Sequence, residues 1–342
     1  MKYLVIGLGN TGLSIISMLK HAGLEVEGYN RPGKTLDNLK SIKEFKVEGL
    51  VDFTFKNDFI SEDLQKALNR SELIFICVPA NEHKGLASSI LESKPEKKIL
   101  SIILVPGRVF GALNFAKYLG INVSETETVP YAARHDGKGS ISLLAQKNKI
   151  FYSSTDISLL KGIEKKMPSF LKEIFNKEYN YQKVTMSNVG LVLHCAPLLF
   201  NSGLIHHPQD FLFYKELISK EIAFYMQKID DERISISKEL GFSVKSVPSW
   251  LNEQYGTKDY SDIYNALHTT EAYLKISSPK SLNHRYLNED LVYGLVPIEN
   301  LAINLGLEVP YITNLINTAC MLLDSDFRLK YEGIIPAWKG MS

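Results

Sequence analysis

Two groups of residues in this sequence have types and spacing suited to chemistry. The first is Gly7-Leu8-Gly9-Asn10-Thr11-Gly12, directly behind the apolar run Tyr3-Leu4-Val5-Ile6 and directly ahead of Leu13, Ile16 and Leu19 at helical spacing. Strand, glycine turn and helix in that order form a dinucleotide-binding fingerprint, because each glycine has its own task. Gly7 permits the tight turn, Gly9 lets backbone approach a pyrophosphate, and Gly12 lets the helix sit close on the strand. The helix N-terminus adds unpaired N–H groups and partial positive charge, so Asn10 and Thr11 count with the glycines as cofactor-binding residues. The second group is His194 and Asn201, inside the mostly apolar stretch from Met186 to Leu204. Seven helical residues turn through about 700°, so the two side chains leave from nearly the same face. Imidazole changes charge near neutral pH. His194 is therefore either a proton donor facing a cofactor or a core histidine hydrogen-bonded to backbone, and spacing alone leaves both readings open.

The elements that must position these residues can be followed along the chain. The first helix ends at Gly23, and Leu24 to Tyr29 forms a second strand leading to Asn30-Arg31-Pro32-Gly33-Lys34. The end of that strand is where an adenosine ribose lies; a carboxylate there reads the 2′-hydroxyl of NAD, whereas an arginine accommodates a 2′-phosphate. With Asn30, Arg31 and Lys34 and no carboxylate, the sequence favours NADP over NAD, with Arg31 on the phosphate. Two apolar runs, Leu73 to Val78 and Ile99 to Val105, suit buried parallel strands, and their carboxyl ends, Val78-Pro79 among them, should line the cofactor crevice. Ser61 is placed to cap a helix through Leu64 and Leu68. A helix from Gly111 to Leu119, a strand from Val123 to Pro130 and a hairpin of Ser140–Leu144 with Ile150–Ser153, turning at Lys147-Asn148, complete a first domain that closes near residue 180.

In the second half, Met186 to Leu204 suits a helix bent at Pro197, and Phe213 to Gly241 one long amphipathic helix whose Asp230-Asp231-Glu232-Arg233 cluster reads as a solvated face without chemistry. The stretch from Pro248 to Tyr273 reads as irregular or weakly helical. Residues 283–297 suit a loop leading into a helix that ends near Leu305, and a last helix begins after Pro310. Cys195 is a poor partner for His194, because helix neighbours point about 100° apart. His206-His207 and the three scattered cysteines lack ligand spacing, so no metal is expected. At 342 residues, 45% hydrophobic and 23% charged, the chain suits a two-domain globular protein. Its net charge of +1 gives no electrostatic case for nucleic acid or an anionic membrane. The sequence carries no signal-peptide pattern and no apolar stretch of the roughly 18 to 20 residues that a membrane span needs, and its cysteine usage suits a reducing cytoplasm.

The second half resembles the octopine and nopaline (opine) dehydrogenases. The resemblance is carried by His194 with Pro197 and Asn201, by Tyr214, by Asp230 to Arg233 before Gly241, and by Arg285-Tyr286-Leu287-Asn288-Glu289-Asp290 with Tyr293-Gly294-Leu295-Val296-Pro297. In the first half, Pro106-Gly107-Arg108 with Gly111, and Glu125-Thr126-Glu127-Thr128 with Tyr131 and Arg134, fit the same pattern. It implies an α/β chain: an N-terminal Rossmann domain with a doubly wound sheet over residues 1–180, then an all-α domain of the opine/6-phosphogluconate dehydrogenase-like type over 181–342. It further implies that His194 and Asp290 form a catalytic dyad and that Arg285 contacts substrate. Arg134, Asn201 and Thr128 join it as substrate-binding candidates, with Arg108 and His135 weaker ones that suit surface charges equally well. The implied activity is reductive condensation of a 2-oxo acid with the amine of an amino acid. A 2-oxo or 3-hydroxy acid reductase without an amine partner, or an NADP-binding protein without turnover, are the alternatives. The apolar helices of the second domain offer a homodimer surface.

Overall fold

The computed structural model describes residues 1–96 and 101–338. It divides into two compact units. Met1–Gly107 with Gly111–Val184 form the first; Arg108–Phe110 and the chain from Thr185 onward form the second. The three residues Arg108–Phe110 thus group with the helical half, which a single boundary near residue 180 does not anticipate.

The first unit is built on β1 (Lys2–Ile6), β2 (Glu25–Tyr29), β3 (Glu44–Gly49), β4 (Phe53–Lys56), β5 (Leu73–Ile76), β6 (Ile102–Leu104), β7 (Ser124–Thr126), β8 (Tyr131–His135), β9 (Ser140–Gln146), β10 (Ile150–Ser154) and β11 (Phe175–Lys177). A seven-stranded sheet runs β11-β10-β7-β6-β5-β1-β2, with β1 parallel to both β2 and β5. Side chains alternate across it, as a strand's two-residue period requires. Tyr3, Val5 and Phe75 pack on one face with Leu13, Ile16 and Leu19 of the Asn10–His21 helix. Leu4, Ile6, Ile74, Ile76 and Leu104 pack on the other with Ala87, Ile90, Ala112 and Phe115. Both faces are covered, so these strands read as continuous apolar runs, and truncating one such buried leucine or isoleucine to alanine costs about 2–5 kcal/mol. The register sets Ile6 beside Tyr29 and Ile76, which brings Gly7, Asn30 and Cys77 to one edge of the sheet.

Several expectations are corrected here. The Ile99–Val105 run yields β6 only from Ile102; its beginning lies outside the described residues. The expected hairpin is absent: β10 pairs antiparallel with β7 in the large sheet, while β9 joins a separate four-stranded sheet, β4-β3-β9-β8. Lys147 is buried between them, its Nζ donating to the Val129 carbonyl at 2.8 Å, so it anchors a crossing instead of a turn. Asp63, not Ser61, caps the Leu64–Arg70 helix, accepting from the Lys66 N–H.

In the second unit, Gly190–Phe200 is helical with Pro197 inside it, followed by Ser202–Ile205. The helix expected from Phe213 starts instead at Lys220, where the Ser219 hydroxyl accepts from the Ile222 N–H, and runs to Glu239. Of its acidic cluster only Asp231 is exposed to solvent. Asp230 and Arg233 are fully buried; Arg233 donates to Asp230 Oδ1 and to the carbonyls of Met186 and Lys245, and Asp230 Oδ2 accepts from the Val247 N–H. Removing one partner of such a buried pair costs about 3–5 kcal/mol. Glu232 accepts from the Tyr311 and Ile312 N–H groups and so caps the Pro310–Leu323 helix. The stretch read as irregular or weakly helical holds two helices, Val247–Tyr255 and Ile263–Thr269. Tyr181–Phe200 is long and apolar enough to cross a membrane by length and composition, against the sequence expectation, but 78% of its apolar 18-residue window is buried inside the protein.

Candidate active site

The glycine turn has the shape its sequence requires. Gly7 sits at φ +97, where a Cβ would lie 2.8 Å from the Cys77 carbonyl carbon, and a Cβ on Gly12 would lie 1.8 Å from the Gly7 carbonyl oxygen. Neither position admits a side chain. A Cβ on Gly9 would meet nothing within 4 Å, so open space lies there, ahead of the Asn10–His21 helix. That helix has no side-chain cap and no acidic residue in its first turn. Uncapped N–H groups facing open space fit a dinucleotide pyrophosphate.

The neighbouring candidates are held in different ways. Asn30 Oδ1 accepts from the Leu8 N–H at 3.2 Å, which ties the end of β2 to the glycine turn. Asn10 Oδ1 accepts from the His135 N–H at 3.0 Å, so that side chain anchors β8. The Thr11 carbonyl accepts from the Ser14 hydroxyl. Val78 and Pro79 follow β5 at the same sheet edge, and Lys34 is exposed at the start of the Lys34–Ser41 helix. Arg31 is 75% exposed at its side chain and forms a two-pronged ion pair with Glu82. Arg134 is exposed on β8 and donates to its neighbour's carbonyl, that of Ala133; Thr128 is half-buried beyond β7.

In the second unit, His194 and Asp290 come together. His194 Nδ1 lies 2.8 Å from Asp290 Oδ2, and the imidazole stacks on the Tyr286 ring at 3.9 Å between centroids and 8° between planes. The 283–297 segment, expected as a loop, is responsible: Tyr286–Leu295 is a π-helix, continuing as an α-helix over Val296–Leu305. Such wide turns are rare and concentrate at functional sites. Two glycines let it pack closely on the His194 helix. A Cβ on Gly294 would come within 3.0 Å of Leu191 Cβ, and one on Gly190 would lie 3.2 Å from both Asp290 Oδ1 and Arg108 Nη1. The Cys195 thiol donates to the Tyr286 carbonyl, so its role is packing.

Arg108 is not a surface charge. It is buried, with Nε and Nη2 donating to the two oxygens of Glu289 at 2.9 and 3.0 Å, and Nη1 2.8 Å from Asp290 Oδ1, close in distance but poorly aligned for a hydrogen bond. Burial alone would raise the Asp290 carboxyl; Arg108 first, then His194 and Arg285, outweigh it and hold Asp290 far below the usual carboxylate range. Burial lowers the His194 pKa, Asp290 opposes that, and Arg285 and Arg108 add to the lowering. Arg285 itself is exposed, its guanidinium 5.8 Å from the Tyr286 ring centre. Asn201 has its amide nitrogen committed to the carbonyls of Pro197 and Leu217, closing the break behind Pro197. The sequence reading missed Glu289, Tyr286, Gly190 and Thr185 as parts of the site. The only signal for them was their place inside the matched motif or beside His194. Among the described residues no three His, Cys, Asp or Glu side chains gather as metal ligands would.

Residues 177–323 match the family described as NAD/NADP octopine/nopaline dehydrogenase, alpha-helical domain, and residues 2–104 match NADP oxidoreductase coenzyme F420-dependent. The resemblance to the opine dehydrogenases is borne out. An opine dehydrogenase from Arthrobacter sp. (strain 1C) is 29% identical over 95% of this chain and 92% of its own length. An octopine dehydrogenase solved with NADH and agmatine superposes with a TM-score of 0.75 at 18% identity, covering 97% of this chain and 96% of that one. A yersinopine dehydrogenase solved with NADP+ gives 0.72 at 14% identity, covering 99% and 94%. At those identities the two structures speak for the fold: a Rossmann-like domain joined to the all-helical opine dehydrogenase domain. The opine dehydrogenase relatives support an NAD(P)-dependent oxidoreductase.

Proposed function

We propose that this opine dehydrogenase relative is an NADP-dependent enzyme that reductively condenses a 2-oxo acid with the amine of an amino acid. The observation that carries the reading is the 2.8 Å contact between His194 Nδ1 and Asp290 Oδ2, with the ring clamped on Tyr286. Amine and oxo acid lose water to give a C=N bond, whose carbon would take the hydride that a reduced nicotinamide supplies when bound. His194 delivers the accompanying proton through Nε2, since Nδ1 is committed to Asp290. Asp290 fixes the tautomer and stabilises the imidazolium, the division of labour of a serine protease triad.

Both substrates carry carboxylates. Arg285, exposed beside the dyad and acting on the charges of His194 and Asp290, is assigned to one of them; Arg134 and Thr128 are assigned to substrate in the first unit. Asn201 keeps only its carbonyl oxygen for such a role. For the cofactor, Gly7, Gly9, Asn10, Thr11 and Gly12 cradle the pyrophosphate, Val78 and Pro79 border it, and Asn30, Arg31 and Lys34 surround the ribose. Arg31 reads the 2′-phosphate, which displaces Glu82 from it. The free thiols of Cys77, Cys195 and Cys320 suit a reducing cytoplasm, and exposed Phe224, Met321 and Leu322 suit a homodimer.

The test is a panel of 2-oxo acids crossed with amino acids, following NADPH oxidation and identifying products by mass. A secondary amine whose mass equals amine plus oxo acid, less one oxygen, is expected. NADPH consumption by an oxo acid alone, unchanged by any amine, would instead make the protein a simple oxo acid reductase.

A further inference from the structure

We propose that Arg108 is a positioning residue for proton transfer, holding the Asp290 carboxylate so that one oxygen alone, Oδ2, is presented to His194. This deepens the dehydrogenase reading and rests on His194 being the group that moves the proton.

Three independent features point this way. The first is the division of contacts: Asp290 Oδ1 faces Arg108 Nη1 at 2.8 Å, Oδ2 faces His194 Nδ1 at 2.8 Å, and the rest of the guanidinium fork is taken by Glu289. A planar fork can hold Glu289 by two directed hydrogen bonds while its third nitrogen keeps its charge close against Asp290 Oδ1; an ammonium cannot reproduce that geometry. The second is the backbone. Arg108 and Phe110 sit at φ +66 and +61, a left-handed conformation that strains non-glycine residues. Thr185 holds the strained turn from both sides, its hydroxyl donating to the Arg108 carbonyl and accepting from the Phe110 N–H, while the Val109 N–H donates to the Tyr293 carbonyl. The turn is therefore pinned to the π-helix that carries Asp290. The third is charge. Arg108, Glu289 and Asp290 together carry −1, so the four groups with His194 are balanced when the ring holds its second proton.

The groups acting electrostatically on the His194 ring are Asp290, Arg285 and Arg108. Cys195 from its own helix and Tyr214 from the Phe213–Glu216 turn face the same set, both with acidities weakened mainly by burial. The Lys220–Glu239 helix turns its Asp230–Arg233 pair toward Met186 and Lys245 instead.

The test uses the full chain and the variants Arg108→Lys, Arg108→Gln and His194→Asn, with folded fraction measured for each. Two readouts apply: kcat against pH with pyruvate and the fastest amino acid of the panel, and an NMR titration of carbon-labelled histidine in the free protein, with His194 assigned by its loss in His194→Asn. In the reductive direction the imidazolium is the active form, so kcat falls as pH rises through the His194 pKa. Because the Arg108 charge holds that pKa down, Arg108→Gln moves both the NMR midpoint and the kcat limb to higher pH by about one unit and lowers the plateau about 10- to 100-fold. Arg108→Lys keeps the charge and loses the fork, so the midpoint stays near wild type while kcat falls about three- to tenfold.

A folded Arg108→Gln protein with midpoint and plateau unchanged overturns the proposal, as does activity lost only in proportion to folded protein. Should Arg108→Gln fail to fold, Arg108→Lys decides, and wild-type kcat there overturns it. A kcat limb that survives in His194→Asn shows that the dyad reading itself fails, whatever Arg108 does.

Discussion

Replacing Asp290 by asparagine changes one charge and almost no volume. The carboxylate stands 2.8 Å from His194 Nδ1, with both side chains largely shielded from water. Two unit charges about 4 Å apart at an effective dielectric near 20 interact by about 4 kcal/mol, or about three pH units as an upper bound. The asparagine oxygen retains a hydrogen bond, so a fall of about one to two units in the His194 pKa is expected. Asp290 raises that pKa, so its removal lowers it, and at neutral pH a smaller share of the enzyme carries the imidazolium needed for reduction. Loss of the tautomer lock adds to this, and kcat should fall by about two to four orders of magnitude while NADPH affinity is kept. The assay is a pH series of initial rates at saturating NADPH, with cofactor binding followed separately by fluorescence. The limb of the profile should move to lower pH. A variant within about threefold of wild-type kcat with the limb unmoved would refute the reasoning and leave the pair as core packing.

Further outcomes follow from other residues. His194→Ala should lower turnover about 10²- to 10⁴-fold with NADPH binding nearly intact, as a comparison of kcat with Kd will tell. Arg31→Ala should weaken NADPH binding about 10- to 100-fold and NADH binding little; equal losses, measured by fluorescence titration, would remove Arg31 from phosphate recognition. Lys147 is buried, and burial depresses its pKa to about 7. Between that value and the unfolded pKa near 10.4 the unfolded chain holds the extra proton, so wild-type stability should rise across this window by up to a few kcal/mol relative to Lys147→Met. Urea unfolding at pH 7 to 10 checks it, and parallel curves would contradict it.

The parts legible in the sequence are those whose cause is local. Gly12 is glycine because a Cβ there would collide with the Gly7 carbonyl five residues back, Gly7 because its tight turn takes φ +97, and β1 and β5 are apolar throughout because both their faces are covered. The second sheet escaped notice although Phe45 and Val47 alternate with Lys46 and Glu48, because short polar-edged strands sit where a crossover connection is expected. Arg108 was illegible for a different reason. Its partner Glu289 lies 181 positions away, and nothing beside Pro106-Gly107 marks the guanidinium as buried. The π-helix is similarly hidden, since Tyr286 to Leu295 contains residues compatible with an ordinary helix or a loop. Asp230 and Arg233 look like any helix-surface pair at i, i+3 until their burial is seen.

The excursion of Arg108–Phe110 into the helical unit bears on how this gene can be cut. A fragment beginning at Thr185 would inherit Glu289 and Asp290 without their cation, leaving two sunken negative charges facing each other. Shuffling or fission of the protein at the apparent halfway point is thus disfavoured, and any transplanted helical half must bring along, or reinvent, a tripeptide encoded some seventy codons upstream.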